Sequence, residues 1–315
     1  MFHRILVPLD ASAAAARALP FAEALAGAGS ARLLLVQAVN VHTVPGADPT
    51  ESQVLALDEA QAYLDGLAAR ISDAGITVET AVPYGPAAEE IVTEARLRHA
   101  DLIVMTTHGR TGLGRWVYGS VAEAVLAHSP VPVLLLQSWL GEHPWRRLAA
   151  RPRLLVPLDG SEFSEAALPV AFELIQQLGG ELLLMEVVTP VDQVVAAGGP
   201  GGPIVVEVAD VEALLAAARQ YLDGVAGRLS EQLGAPPPRD LRVGDPAQMI
   251  ADTAREHGVD LIVMSTHGRT GLARTAFGSV AGGVLRHASA PLLLVHPADV
   301  LAPASLSATA STGKS

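Results

Sequence analysis

Short apolar runs alternate with longer amphipathic segments along this chain, and the whole alternation occurs twice. Each run is a strand-length block rich in Ile, Leu and Val, which is typical of parallel strands that are covered on both faces. The segments between the runs have helical spacing and are predicted to be helices. The predicted strands span residues 4–9, 32–39, 77–82, 102–105 and 131–136 in the first half, and 153–158, 181–188, 240–243, 261–264 and 291–295 in the second.

The first predicted helix of each half begins behind a serine and contains a proline. Ser12 and Ser161 each follow an acidic residue at a strand end by two positions. Their hydroxyls are predicted to cap the helices that follow. Pro20 and Pro169 lie inside those helices, and because proline lacks a backbone N–H we expect each helix to be kinked there.

Strand and helix alternate throughout each half, so every connection between successive strands is a helical crossover. With right-handed connections this predicts an α/β fold of two tandem open five-stranded parallel sheets, strand order 3-2-1-4-5, with helices on both faces. The fifth strands are apolar edges, so we expect them to pair and to form an intramolecular pseudo-dimer. The predicted boundaries are a first domain at 1–137, a linker at 138–152, a second domain at 153–297 and a disordered tail at 298–315.

One stretch of 25 residues occurs in both halves, at 101–125 and 260–284, and 18 of its positions are identical in the two copies. Each copy consists of a buried strand, a glycine-rich loop and a Gly-Ser pair that opens a helix. Glycines permit close approach of the backbone and positive φ angles, and the first N–H groups of a helix lack partners within it. The repeated stretch therefore predicts, in each half, an anion site that holds the phosphates of a nucleotide.

Polar residues follow the two strands that flank the predicted change in strand order. Asp10 and Asp159 follow the first strands, and Thr106 and Ser265 follow the fourth strands. Ligands of open α/β sheets bind at that point. An aspartate there suits a ribose hydroxyl or a phosphate-bound Mg²⁺, and the alternative is a simple cap of the next helix.

Composition and net charge exclude several classes of partner and of catalytic chemistry. The net charge of −12 argues against nucleic acid as a partner, since binding its backbone needs a clustered basic face. The chain has no cysteine, and its one lysine is Lys314, which excludes thiolate catalysis, cysteine metal sites and a P-loop. No apolar run reaches the about 18 residues of a membrane helix, and the first strand begins at once, so we expect a cytoplasmic protein without a membrane partner.

On these residues the chain resembles the universal stress protein family, as a tandem member with two fused domains over residues 2–297. The family's nucleotide signature is Gly, two residues, Gly, nine residues, Gly, and then Ser or Thr. Its last two glycines and its hydroxyl residue are present in both halves, at Gly109, Gly119 and Ser120 and at Gly268, Gly278 and Ser279. Thr106 and Ser265 stand where the first glycine of the signature belongs.

The resemblance implies an adenine nucleotide, ATP, as the ligand. Any Mg²⁺ is expected to bind together with the phosphates, and no dedicated metal site is expected, because the remaining histidines show no metal-ligand spacing. It implies that Asp10 and Asp159 lie near the adenosine, and that the backbone of Ala38 and Val187 meets the adenine edge. The remaining candidate residues lie in the loops, where a histidine that holds the loop is favoured over a catalytic one. They are His108, Gly109, Gly112, His267, Gly268 and Gly271.

Three functions remain open: an ATP-binding regulatory protein of the stress response, a slow ATPase, and a nucleotide-independent scaffold. The chain body has no phosphate-binding lysine, and the loops show no activated nucleophile, which argues against an enzyme. The sequence therefore favours the regulatory protein, with weak ATP hydrolysis at most. It leaves open the stress, the downstream partner, and any homo-dimerisation beyond the pairing of the fifth strands.

Overall fold

The computed structural model describes residues 2–40, 49–107, 119–137, 151–189, 211–266 and 278–296. The strands of the first half are β1 (Arg4–Pro8), β2 (Arg32–Val36), β3 (Val78–Ala81), β4 (Leu102–Thr106) and β5 (Val133–Leu136). Its helices are α1 (Ala13–Ala16), α2 (Leu19–Gly29), α3 (Pro49–Asp73), α4 (Ala87–Leu97) and α5 (Ser120–His128).

The second half repeats this order of elements. Its strands are β6 (Arg153–Leu158), β7 (Glu181–Val188), β8 (Arg239–Val243), β9 (Leu261–Ser265) and β10 (Leu292–Val295). Its helices are α6 (Glu162–Glu165), α7 (Ala167–Leu178), α8 (Val211–Leu233), α9 (Pro246–Glu256) and α10 (Ser279–His287). Among the described residues, no helix is both long enough and apolar enough to cross a membrane.

These strands form one sheet in the order β3-β2-β1-β4-β5-β10-β9-β6-β7-β8. Neighbouring strands are parallel within each half, and each half has the order 3-2-1-4-5 when its own strands are counted. At the centre, β5 and β10 pair in antiparallel orientation, with Leu134 opposite Leu293. The predicted fold class, two five-stranded sheets in an intramolecular pseudo-dimer, is confirmed.

Both faces of the sheet are buried, which explains why the strands are uninterrupted apolar runs. Along β1, Ile5 and Val7 belong to one apolar core and Leu6 belongs to the other. Each core includes residues of both halves, and Leu134 and Leu293 lie in the same one. The halves are therefore joined by shared side-chain packing on both faces as well as by backbone hydrogen bonds between strands.

The outer edges of the sheet are charged, unlike the apolar fifth strands at its centre. On β8, Arg242 forms ion pairs with Asp240 and with Glu256, each at 2.8 Å. On β3, Glu79 lies within 3.8 Å of the Arg32 guanidinium. Charged side chains on an exposed edge discourage pairing with a strand of another chain, whereas the apolar edges pair with each other.

The prolines divide the first helix of each half instead of kinking it, so the predicted kinked helices are wrong. Pro20 is the second residue of α2, and Pro169 is the third residue of α7. In the first turn of a helix an N–H has no acceptor within the helix, so its absence from proline costs little there. Each half therefore begins with a single-turn helix that is followed by a separate, longer one.

The predicted serine caps are confirmed. The Ser12 hydroxyl accepts a hydrogen bond from the Ala15 N–H at 3.1 Å, and the Ser161 hydroxyl accepts one from the Ser164 N–H at 3.2 Å. Most of the predicted linker, residues 138–150, and the predicted tail lie outside the described residues. The domain boundaries therefore stay a prediction.

Candidate functional site

The carboxyl ends of three neighbouring strands of the second half surround a cavity of about 680 Å³. The strands are β7, β6 and β9; α10 begins at this cavity, and α8 and α9 contribute side chains to its lining. The first and fourth strands of the half, β6 and β9, are neighbours there. The cavity thus lies at the switch in strand order, where ligands of open α/β sheets bind.

All predicted site residues of the second half that the structure describes line this cavity. They come from four separate segments of the chain: Asp159, Val187, Ser265, Gly278 and Ser279. The other predicted residues of this half, His267, Gly268 and Gly271, lie outside the described residues. The fold therefore brings together side chains that are more than a hundred residues apart in sequence.

The beginning of α10 lies at the cavity. Gly278 is its N-cap, and the Gly278 N–H donates to the Thr266 carbonyl oxygen at 2.8 Å, which ties the helix start to the end of β9. Ser279, Val280 and Ala281 form the first turn and line the cavity. The first N–H groups of a helix have no acceptor within it and carry the positive end of the helix dipole. This side of the cavity is therefore suited to an anion.

Neither glycine at these helix starts adopts a positive φ. Gly278 has a φ of −67° and Gly119 has a φ of −60°, values open to every L-residue. Of the two properties of glycine named above, positive φ is therefore not used at either position. A Cβ at Gly278 would lie 3.4 Å from the Thr266 carbonyl oxygen, an ordinary contact. What glycine supplies at this position is the absence of a side chain beside the cavity.

Asp159 is held at the cavity by a tight turn. Its Oδ1 accepts hydrogen bonds from the Ser161 N–H at 3.0 Å and from the Ser161 hydroxyl at 2.5 Å. Gly160, between them, has a φ of 79°, in the left-handed region that favours glycine. Ser161 rather than Asp159 is the N-cap of α6. The carboxylate is thus fixed at the cavity without being the helix cap.

The cavity also has a wall of acidic and hydroxyl side chains that the sequence did not predict. Ser164 and Glu186 are buried in it, and Tyr221 of α8 completes it. The Tyr221 hydroxyl donates to Glu165 Oε1 at 3.0 Å, and the Arg228 guanidinium donates to Glu165 Oε2 at 2.7 Å. One sequence signal pointed to this wall: Tyr-Leu-Asp-Gly occurs at 63–66 and again at 221–224.

Tyr221 is a neutral hydrogen-bond donor in this wall. Burial raises the pKa of its hydroxyl well above the ordinary value, and the Glu165 carboxylate, which accepts its proton in a hydrogen bond, raises the pKa further. The negative charge of Glu186 acts in the same direction. No group of three or more His, Asp or Glu side chains suited to a metal ion occurs in the described part of the chain.

The two sides of the cavity differ in electrostatic character. The α10 N-terminus gives one side a positive partial charge, whereas Asp159 and Glu186 bring carboxylates from β6 and β7 to the other. Parallel strands lie about 4.8 Å apart, so the ends of β7 and β9, with β6 between them, are separated by about 10 Å. The cavity therefore suits a ligand with an anionic group at one end and hydrogen-bond donors at the other.

The predicted residues of the first half occupy matching positions. They lie at the ends of β1, β2 and β4 and at the start of α5: Asp10, Ala38, Thr106, Gly119 and Ser120. The Gly119 N–H donates to the Thr107 carbonyl oxygen at 2.9 Å, as Gly278 does to Thr266. The loop residues His108, Gly109 and Gly112 lie outside the described residues.

Side chains around this first-half position differ from those of the second half. Asp10 Oδ1 accepts a hydrogen bond from the Ser12 N–H at 3.0 Å, as in the other turn. However, the positions of Ser164, Glu165 and Glu186 are occupied here by Ala15, Ala16 and Gln37. The acidic side chains and the serine of the wall therefore belong to the second half, whereas its tyrosine has a counterpart in Tyr63.

Comparison with known proteins identifies the family and agrees with the fold. The model of the universal stress protein family matches residues 1–137 and 151–296. A universal stress protein of Mycolicibacterium smegmatis is 26% identical over 305 residues, which cover 94% of this chain and 97% of that protein. One from Methanocaldococcus jannaschii is 32% identical over 142 residues, which cover 44% of this chain and 83% of that protein. The crystal structure of a universal stress protein from Archaeoglobus fulgidus has the same fold, with a TM-score of 0.72 at 22% identity over 93% of this chain and 98% of that one.

Proposed function

We propose a function that starts from one premise: this chain belongs to the universal stress protein family. From that premise we infer that the protein binds an adenine nucleotide, ATP, and acts as a cytoplasmic regulatory protein in the response to stress. Membership of the family does not by itself decide the ligand. The proposal therefore rests on the cavity of the second half.

The observation that carries the proposal is the convergence of Asp159, Val187, Ser265, Gly278 and Ser279 on one cavity. They were selected from the sequence as nucleotide-binding residues, and they come from four segments that meet at the switch in strand order. The volume of about 680 Å³ lies within the usual range of small-molecule sites, about 300–1,000 Å³. A nucleotide has the matching polarity, with anionic phosphates at one end and a donor-bearing nucleoside at the other.

In this proposal the phosphates bind at the start of α10. The chain body has no lysine, since the one lysine is Lys314, so the attraction comes chiefly from backbone N–H groups and the helix dipole. Hydrogen bonds to charged groups contribute about 1.5–3 kcal/mol each. Three or four of them supply much of the about 8 kcal/mol that corresponds to micromolar affinity.

The nucleoside end binds toward β6 and β7, where Asp159 offers a carboxylate to a ribose hydroxyl and the Val187 backbone meets the base. Mg²⁺ enters with the phosphates of ATP, and contact with this ion is the alternative role of Asp159, because β6 lies between β7 and β9. The first half has the same arrangement of strand ends and helix start. We therefore propose a second site there, without the acidic side chains of the second-half wall, at Asp10, Ala38, Thr106, Gly119 and Ser120.

The test is calorimetric titration of the full chain with ATP and Mg²⁺, together with mass spectrometry of any small molecule released when freshly purified protein is denatured. We expect affinity on the order of micromolar and a co-purified adenine nucleotide. An absence of binding up to millimolar ATP contradicts the proposal and favours a nucleotide-independent scaffold. Steady phosphate release from bound ATP instead identifies a slow ATPase.

Gly278→Val and Gly119→Val form a matched pair for assigning the binding to each half. A branched side chain at Gly278 occupies space beside the cavity, while the backbone φ of −67° remains accessible to valine. We expect Gly278→Val to keep the far-UV circular dichroism spectrum and to weaken second-half binding by about 10- to 100-fold, the loss of one or two charged hydrogen bonds. If the double variant binds ATP as tightly as the parent, the phosphates do not bind at these helix starts.

A further inference from the structure

Two helices that begin at the second-half cavity pack unusually closely behind it. α9 begins at Pro246 and α10 begins at Ser279, and both residues line the cavity. Gly283, one turn into α10, is buried against Ala247 of α9. A Cβ added to Gly283 would overlap the Cβ of Ala247, closer than two side chains can approach. The missing side chain at Gly283 therefore lets α10 lie directly against α9.

The neighbour of Gly283 has no means of making room for a larger residue. A methyl group such as that of Ala247 has no rotamer that could move it aside. The backbone of α9 is fixed there by the Asp245 cap, whose Oδ1 accepts a hydrogen bond from the Gln248 N–H at 2.9 Å. Two carbon atoms rest about 3.5–4.0 Å apart. A methyl group at position 283 would therefore separate the helices by a distance on the order of 1 Å.

The first half lacks this close contact. The offset of 159 residues that relates Gly119 to Gly278 makes Ala88 and Ala124 the counterparts of Ala247 and Gly283. Both counterparts carry a Cβ, so α4 and α5 have to lie farther apart at this point. Glycine inside a helix is less favourable than alanine. The second half thus gives up helix stability at the position that brings α10 against α9.

The contact lies directly behind the residues that face the cavity. Ser279 and Gly283 are four residues apart in α10 and so lie on the same side of the helix, one turn from each other. The N–H groups of the first turn, at Ser279, Val280 and Ala281, have no acceptor within the helix. A hydrogen bond from N–H to oxygen is confined to about 2.7–3.2 Å. A helix displaced by about 1 Å would therefore lose bonds that it makes at its start.

We propose that Gly283 is a positioning residue for the phosphates: its contact with Ala247 holds α10 where the N–H groups of the first turn reach them. Gly283 itself touches no ligand in this arrangement. The first half, with alanine at both positions, holds its helix start less closely. This inference rests on the proposed binding of ATP.

The first test compares ATP affinities of the full chain by calorimetry, in a Gly119→Val background that confines the signal to the second half. We expect Gly283→Ala to bind ATP about 10-fold more weakly, the loss of one hydrogen bond to a charged group. Gly227→Ala on α8 is the matched control. It makes the same change inside a helix, but its Cβ would meet no described atom within 4 Å, so we expect the parental affinity.

The second test moves the methyl group from one helix to the other. In Gly283→Ala combined with Ala247→Gly, the new Cβ would face the Cα of residue 247 at 3.8 Å, an ordinary contact. We expect this exchange to restore the affinity to within about 3-fold of the parent. Displacement of ATP by inorganic triphosphate and by adenosine separates the two ends of the ligand. Gly283→Ala should weaken triphosphate about as much as ATP and leave adenosine unchanged.

Three results would overturn the positioning role while ATP binding stands. They are parental affinity in Gly283→Ala, an exchange variant as weak as Gly283→Ala, and an equal loss for adenosine and triphosphate. Loss of the far-UV circular dichroism spectrum in Gly283→Ala that the exchange reverses would assign the contact to stability and would overturn the role as well. If the parent protein does not bind ATP, the proposed function fails and this inference with it.

Discussion

At the starts of α5 and α10 the two halves have nearly the same backbone hydrogen bond, 2.9 Å from Gly119 to Thr107 and 2.8 Å from Gly278 to Thr266. Side chains elsewhere around the two positions differ. Glu165 in the second half binds both Tyr221 and Arg228, whereas its counterpart in the first half is Ala16. The comparison teaches that the two halves share the backbone arrangement at the helix start and differ in the side chains that surround the neighbouring strand ends.

The turn after the first strand of each half also differs in its residue type. Gly160 has a φ of 79° and Ala11 has a φ of 61°, so both turns use the left-handed region, but only the second half places glycine there. A residue with a Cβ is disfavoured in this region. The backbone path is thus the same in both halves, and the first half adopts it at a cost in stability.

The largest effect is expected where the halves meet. Leu134 and Leu293 are almost fully buried and pair across β5 and β10. We expect Leu134→Ala and Leu293→Ala each to lower the free energy of unfolding by about 2–5 kcal/mol, because each leaves a cavity in the core that both halves share. Urea denaturation followed by circular dichroism should show one cooperative transition that shifts in either variant. Two transitions, of which a single one moves, would show that the halves fold independently.

The next effect concerns the wall of the second half. Tyr221→Phe removes the hydrogen bond to the Glu165 carboxylate, and we expect a loss of about 1.5 kcal/mol. This is the low end for a bond to a charged group, because Glu165 keeps its contact with Arg228. Urea denaturation at neutral pH measures the loss. A variant as stable as the parent would mean that the bond contributes nothing beyond what water provides.

The same variant tests the pH dependence of this wall. The pKa of Tyr221 is raised above its ordinary value of 10.0, first by burial and then by Glu165. Its contribution to stability is therefore complete below about pH 10 and is lost as the pH rises through the higher pKa of the folded state. Stability measured across the alkaline range should fall less steeply in Tyr221→Phe than in the parent. Equal slopes would contradict the raised pKa.

The smallest effect comes from exchanging the turn residues of the two halves. We expect Ala11→Gly to raise the free energy of unfolding by about 1 kcal/mol, with the entropy of the more flexible unfolded glycine offsetting part of the gain. Gly160→Ala should lower it by a similar amount. Thermal and urea denaturation of both variants give the comparison. If the free energy of unfolding changed with the same sign in both variants, the left-handed backbone conformation would not explain the difference between the two turns.

The sequence predicted most of the fold because the strands are buried on both faces. For example, β1 ends at Pro8, one residue before its predicted end, because Ile5, Leu6 and Val7 are all buried in a core. The helices that contain Pro20 and Pro169 were predicted incorrectly because apolar spacing does not distinguish a kink from a new helix. A one-turn helix such as α1 leaves almost no periodic signal.

The candidate site was likewise predicted only in part from the sequence. Strand ends and Gly-Ser helix starts are local features, so the repeated stretch indicated Ser265, Gly278 and Ser279 directly. Glu186 and Tyr221 were missed because each lies in an element whose pattern it barely disturbs: a single acid in a long strand and a single tyrosine on an amphipathic helix. Only the fold shows that these two side chains line one cavity.

Amide hydrogen exchange tests most directly whether phosphates bind to the backbone at α10. Saturating ATP should slow exchange at the N–H groups of Ser279, Val280 and Ala281 in the parent protein, because each gains protection from a bound anion. Gly278→Val should strongly reduce that protection at an ATP concentration that only just saturates the parent protein. Unchanged exchange at these three amides while calorimetry reports a saturated site would contradict the account and place the phosphates elsewhere.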